Sequence, residues 1–188
     1  MKILVLTIIS IAFISMAEHA GKYPTNEFNS PVNREIKLSG TFGELRSNHF
    51  HAGLDIKSSN GASGDPVYAA KEGYISRIRV EEFGYGNALY VEHPNGFTTL
   101  YAHLDRFAPE IEAYVKSEQY KAETFELDIM PDPTLFPVHH TQQIGNMGNT
   151  GYSYGPHLHF EIRHTQGQVP VNPLHFGYKV ADQKSPVV

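Results

Sequence analysis

Three short segments of the chain hold the side chains best suited to metal chemistry. In His157-Leu158-His159-Phe160-Glu161-Ile162-Arg163, titratable and apolar residues alternate. Successive side chains of a strand point to opposite faces, so His157, His159 and Glu161 share one face and Leu158, Phe160 and Ile162 the other. Two imidazoles at i and i+2 can begin a metal site or simply face solvent. His51-Ala52-Gly53-Leu54-Asp55 adds a histidine and a carboxylate four residues apart, with Gly53 between them to let the backbone turn. Tyr101-Ala102-His103 closes an apolar run on a further histidine, a type that taken alone is more often a satisfied or surface residue. The chain has 11 His and no Cys, which excludes disulfides, thiolate nucleophiles and Cys-ligated zinc and leaves histidines and carboxylates as the available ligands. Catalytic zinc takes three such ligands and keeps one position open, where it brings the pKa of a water to about 7 and polarises a carbonyl. His51, Asp55 and one histidine of the HLH strand make a His2Asp set. The remaining imidazoles are then available as proton acceptors or as donors to a transition state.

The elements that must position these groups fit one domain. A length of 188 residues with 40% hydrophobic residues suffices for a single core. A net charge of -5 without a basic stripe gives no footprint for nucleic acid. Met1 and Lys2, the apolar run Ile3 to Ile14 and Ser15-Met16-Ala17 read as a signal peptide over 1–17, cleaved before Glu18. The run is too short for a comfortable membrane span, so the mature chain is expected to work outside the cytoplasm with no stable span. Residues 18–35 read as an extended lead-in, 36–178 as the body and 179–188 as a tail. Within the body, dense glycines separate short runs at Ile36 to Phe42, Leu54 to Ile56, Val67 to Ala70, Tyr74 to Val80, Ala88 to His93, Thr98 to His103, His157 to Arg163 and near Val169. Such spacing predicts a mainly β fold, an antiparallel sandwich or sheet. Asn95-Gly96 marks a hairpin turn through positive φ angles. Pro109 to about Glu123 carries apolar residues at helical spacing behind a proline suited to the first turn, which predicts one inserted helix, either packed on the sheet edge or facing substrate.

The ordered motifs FHAGLDI (50–56), GDPVYAAKEGYIS (64–76), GYGNALYVEHPNGFTTLYAHL (84–104), IGNMGNTGYSYGPHLHFEIR (144–163) and VNPLHF (171–176) resemble the M23 metallopeptidases, the lysostaphin or LytM type of peptidoglycan endopeptidase. The resemblance implies that His51, Asp55 and His159 bind Zn2+. It also implies that His103 and His157 are the non-ligand histidines that activate water and stabilise the oxyanion, and that the substrate is a peptide bond of peptidoglycan. A non-catalytic LytM-type regulator of wall amidases and an extracytoplasmic metal- or glycan-binding β module are the alternatives. His49, two residues before His51, competes as a ligand by proximity, but only His51 has the spacing to Gly53 and Asp55. His93 reads as a turn residue, His139 and His140 as solvated, and His19, His164 and His175 belong to no constellation. Glu161 reads either as an acceptor orienting a ligand imidazole or as an exposed salt-bridge partner. Tyr152 and Tyr154 read as lining the substrate cleft or as loop packing. The stretch 104–144 is longer than in compact relatives, so substrate choice does not carry over from them.

Overall fold

The computed structural model describes residues 23–181; the expected signal segment, His19 and most of the tail lie outside the described residues. The strands are β1 (Leu38–Gly40), β2 (Leu54–Lys57), β3 (Pro66–Tyr68), β4 (Gly73–Val80), β5 (Ala88–Glu92), β6 (Phe97–Ala102) and β7 (Leu104–Phe107), followed by β8 (Leu127–Ile129), β9 (Pro137–Val138), β10 (Gln143–Met147), β11 (His157–His164) and β12 (Pro170–Val171). The single α-helix among the described residues, α1, spans Pro109–Ala122. A nine-stranded sheet runs β1-β2-β11-β6-β5-β4-β8, with β12 beside β11 and β9 beside β4, and a three-stranded sheet runs β3-β10-β7. The pairings between these strands are antiparallel, as the alternating runs and close-set turns predict.

The two faces of β11 divide as the alternation requires. Leu158, Phe160 and Ile162 are buried in the main core with Leu54 and Ile56 of β2, Ile75 and Ile78 of β4, and Val67, Leu104 and Ile144 of the small sheet. On the other face the register sets His159 opposite both Asp55 and Ala102, and Glu161 opposite Leu100. That face is floored by Ala88, Tyr90, Leu100 and Ala102, with Tyr85 packed against them. Gly53 is needed where β2 meets β11, because a Cβ there would run into the carbonyl of Phe160.

Two expectations need amendment. The lead-in is part of the packed body: Phe28 and Val32 are buried in the main core, and the Phe28 ring meets those of His93, Phe97 and Phe176 edge-on. An apolar residue flanked by polar ones shows no period, so its burial had no local signal. In the β5–β6 turn only Gly96 takes a positive φ, at 81°, and Asn95 does not. The stretch 104–144 holds the expected helix, α1, together with β7, β8 and β9. Pro109 opens α1, Glu110 and Glu112 sit in its first turn and Lys121 in its last, matching the helix dipole, and Ile111 and Val115 are its buried stripe. The strand that follows the helix, β8, pairs with β4 at the end of the sheet remote from β2 and β11.

Candidate metal centre

His51, Asp55 and His159 form one buried cluster, each offering a ligand atom within 4.8 Å of the others. His51 Nε2 lies 3.0 Å from Asp55 Oδ1 and 2.9 Å from His159 Nδ1, and His159 Nδ1 lies 3.0 Å from Asp55 Oδ1. The outer nitrogens fix the tautomers. His51 Nδ1 is 2.8 Å from the Thr41 carbonyl, which can only accept, so the proton is on Nδ1 and Nε2 presents a lone pair. His159 Nε2 is 2.8 Å from Oε1 of Glu161, so Nδ1 presents its lone pair inward. Two nitrogen lone pairs and a carboxylate oxygen thus converge without a donor between them, an arrangement that needs a positive charge at its centre. A metal ion satisfies all three at once, and the donor set suits zinc or another borderline cation. Without an ion the demand falls on His159. Burial lowers its pKa, but hydrogen bonds to Asp55 and Glu161 outweigh burial and raise it to about 9. Burial likewise raises Asp55, yet its contacts with His157, His159 and His51 hold it well below the usual carboxylate range.

Around the cluster lies a polar shell that the sequence left largely unmarked. Glu161 has no exposed surface and accepts from three groups: His159 Nε2, Tyr85 Oη at 2.7 Å and Arg163 Nε at 2.5 Å. Arg163 Nη2 also donates to Tyr85 Oη at 3.0 Å. Glu161 accepts from the His159 imidazole, as the first reading expected, while its ion pair with Arg163 is buried and not the exposed salt bridge of the second. Burial raises its pKa, but His159 and Arg163 bring it down to about 2. Tyr85 and Arg163 stood inside motifs of the sequence, but nothing local tied them to Glu161. Thr41 and Thr150 act through backbone carbonyls, which residue type cannot reveal.

His103 and His157 flank the cluster, their ring centroids 4.7 Å apart. His103 follows β6 with φ of 60°, a left-handed conformation uncommon for a side chain of its size. Its Nδ1 donates to the Thr150 carbonyl at 2.8 Å, so Nε2 is unprotonated and has no partner among the described residues. Burial and the neighbouring His157 and His159 lower its pKa to about 4. His157 Nδ1 sits 2.8 Å from the Gly155 carbonyl and 3.2 Å from Ser153 Oγ, and its Nε2 is 3.4 Å from Asp55 Oδ1. Tyr152 and Tyr154 are exposed on the loop before His157, Tyr154 donating to the Tyr152 hydroxyl at 2.5 Å.

The other histidines stand apart from the cluster. His49 is exposed and contacts Asn48, and His139, His140, His164 and His175 are exposed. His93 departs from its expected role as a turn residue. It is buried, with Nδ1 donating to the Glu72 carbonyl at 2.8 Å and Nε2 2.8 Å from the Thr99 hydroxyl. Thr99 in turn meets Tyr101 Oη, which accepts from Ala70 N–H at 2.8 Å.

Paired strands β2 and β11 bring Asp55 and His159 together, and the segment just before β2 adds His51, giving a buried His2Asp cluster that could hold a metal ion. The chain belongs to peptidase family M23, whose model matches residues 49–126 and 137–173. It is 34% identical over 143 residues to the DD-carboxypeptidase/endopeptidase Mpg of Neisseria meningitidis serogroup B, a match covering 73% of this chain and 26% of that protein. It is 31% identical over 126 residues to the peptidoglycan DD-endopeptidase ShyC of Vibrio cholerae, covering 67% and 22%. The chain thus spans about a quarter of the length of these curated relatives. Among solved structures, Helicobacter pylori Csd3 superposes with a TM-score of 0.54 at 25% identity, over 88% of this chain and 37% of that one. The catalytic domain of lysostaphin from Staphylococcus simulans gives 0.55 at 23% identity, over 75% and 91%, a likeness of fold.

Proposed function

We propose that this protein is a zinc-dependent endopeptidase that hydrolyses peptide bonds in the stem peptides or cross-bridges of peptidoglycan. The observation that carries the reading is the convergence of His51 Nε2, Asp55 Oδ1 and His159 Nδ1, three acceptors 2.9 to 3.0 Å apart, beside a second pair of imidazoles. His51, Asp55 and His159 would hold the zinc ion, which would supply Lewis acidity toward the scissile carbonyl and lower the pKa of the attacking water. Thr41 and Glu161 keep the two ligand imidazoles in the tautomers that point lone pairs inward. One imidazole of the His103 and His157 pair takes the proton of the attacking water, and the other donates to the developing oxyanion. The Thr150 carbonyl leaves His103 Nε2 available for that exchange. Tyr152 and Tyr154 line the approach to His157. The names of the Neisseria and Vibrio relatives make a D,D peptide bond the first to assay.

The reaction takes place outside the cytoplasm after removal of residues 1–17, and protein recovered from the cell envelope should begin at Glu18 on N-terminal sequencing. No helix among the described residues is long and apolar enough to cross a membrane. Metal content tests the reading: one zinc per wild-type chain and none after His159→Ala is expected, and unchanged content in the variant would reject the ligand set. Loss of zinc in His157→Ala would mean that the two histidines of HLH have exchanged roles.

A further inference from the structure

We propose that Arg46 is a positioning residue for the metal centre, clamping Oδ2 of Asp55 so that the carboxylate presents only Oδ1 to the ion, an assignment that rests on the zinc reading above. Arg46 Nη2 lies 2.8 Å from Asp55 Oδ2 and 2.9 Å from Oε2 of Glu44. The other oxygen, Oδ1, is the one that meets His51, His159 and His157. The two oxygens therefore have separate tasks. A carboxylate with both oxygens free can close on a cation through both, filling a position that a four-coordinate catalytic site must keep open. A guanidinium, always charged, is suited to hold one oxygen back, and the same Nη2 is steadied by its contact with Glu44.

The clamp comes from the same piece of chain as the first ligand. Residues 41–51 fold back on themselves through His51 N–H to the Glu44 carbonyl at 2.8 Å, Gly43 N–H to the His51 carbonyl at 2.8 Å and Arg46 N–H to the His49 carbonyl at 2.9 Å. This hairpin carries His51, the Thr41 carbonyl that sets its tautomer, and Arg46, so it orients two of the three ligands.

Gly40 supplies an independent observation. It pairs with Asp55 in the β1–β2 register, and a Cβ on it would occupy the space of Arg46 Nη2 and Asp55 Oδ2. Gly40 is not among the residues with positive φ, so its backbone does not demand glycine. What demands it is the room for this ion pair. The Arg46 side chain is 37% exposed and that of Asp55 10%, and without Arg46 the carboxylate keeps its contacts with His51, His159 and His157, so the conformational task of the pair can be separated from folding.

The test measures zinc affinity by competition with a chromophoric chelator, and the visible absorption of the Co2+ form, for wild type, Arg46→Gln, Gly40→Ala and His51→Ala. Arg46→Gln removes the clamp, and Gly40→Ala obstructs it while leaving Arg46 in place, so a shared effect does not reduce to a disturbed hairpin. Each should weaken zinc binding about 10- to 100-fold and change the Co2+ spectrum, with the melting temperature of the metal-free protein unchanged. Wild-type affinity and a wild-type Co2+ spectrum in both variants would overturn the assignment. If wild type binds no zinc, or binds it no more tightly than His51→Ala, the zinc reading itself fails, a distinct result.

Discussion

Replacing Glu161 by Gln keeps the shape of the side chain and removes its charge. In the folded protein this carboxylate is wholly buried and takes three hydrogen bonds, from His159, Tyr85 and Arg163. An amide has one accepting oxygen, and its NH2 group would face a donor. The Arg163 side chain is only 16% exposed, so its cation would be left largely desolvated without a counter-charge. Breaking a buried pair by neutralising one member costs about 3 to 5 kcal/mol. With Arg163 keeping some contact with solvent we take the lower end, about 3 kcal/mol. At ~2 to 4 °C per kcal/mol for a chain of this size, the melting temperature of the metal-free protein should fall by ~6 to 12 °C. The loosened His159 ring should also weaken zinc binding about 10- to 100-fold. Thermal unfolding by circular dichroism and a zinc competition titration check the two effects separately. A Glu161→Gln protein that melts within a degree of wild type and binds zinc equally well would refute both the buried-pair argument and the tautomer lock.

His103→Ala and His157→Ala should each retain zinc yet lose turnover about 10²- to 10⁴-fold, with the double variant little worse than either single one because both act on one transition state; near-normal hydrolysis by both would move the chemistry elsewhere. His93 should make the fold acid-sensitive. Burial lowers its pKa to about 4 against about 6.5 in the unfolded chain, so the unfolded state binds the proton first. Stability is then lost as pH falls from about 6.5 through about 4, at up to ~1.4 kcal/mol per unit. Melting curves across that window should show a shallower acid slope for His93→Gln than for wild type. Gly53→Ala should impair folding and zinc binding together, since its methyl group meets the Phe160 carbonyl where β2 pairs with β11; a variant with unchanged melting temperature and metal content would show that the strands can separate there at little cost.

What the sequence disclosed follows from what is periodic or paired in it. The two-residue alternation of His157 to Arg163 places His159 and Glu161 on one face, and the three-to-four-residue spacing after Pro109 locates α1 to within a residue of its end at Ala122. Strands β7, β8, β9 and β10 fall outside the runs marked by alternation because they are short and bounded by residues of mixed character, and β7 and β10 pair across segments far apart in the chain. The same limit hid most of the polar shell. Arg46 reaches Asp55 through a hairpin, Tyr85 reaches Glu161 across 76 positions, and the carbonyls of Thr41 and Thr150 carry no side-chain signature. His93 reads as a turn residue because it precedes Pro94, and its burial depends on Thr99 and Tyr101 of β6 and on Phe28 of the lead-in, which local sequence does not place beside it.

The most direct measurement of the central claim is digestion of purified sacculi by the chain from Glu18 onward, with mass spectrometry of the released fragments. Zinc-loaded wild type should release products cut at a peptide bond, and the release should stop with a chelator, return on adding zinc and be absent for His159→Ala. Sacculi left intact by the zinc-loaded protein, or peptide products that persist through chelation and in His159→Ala, would contradict a zinc endopeptidase centred on His51, Asp55 and His159.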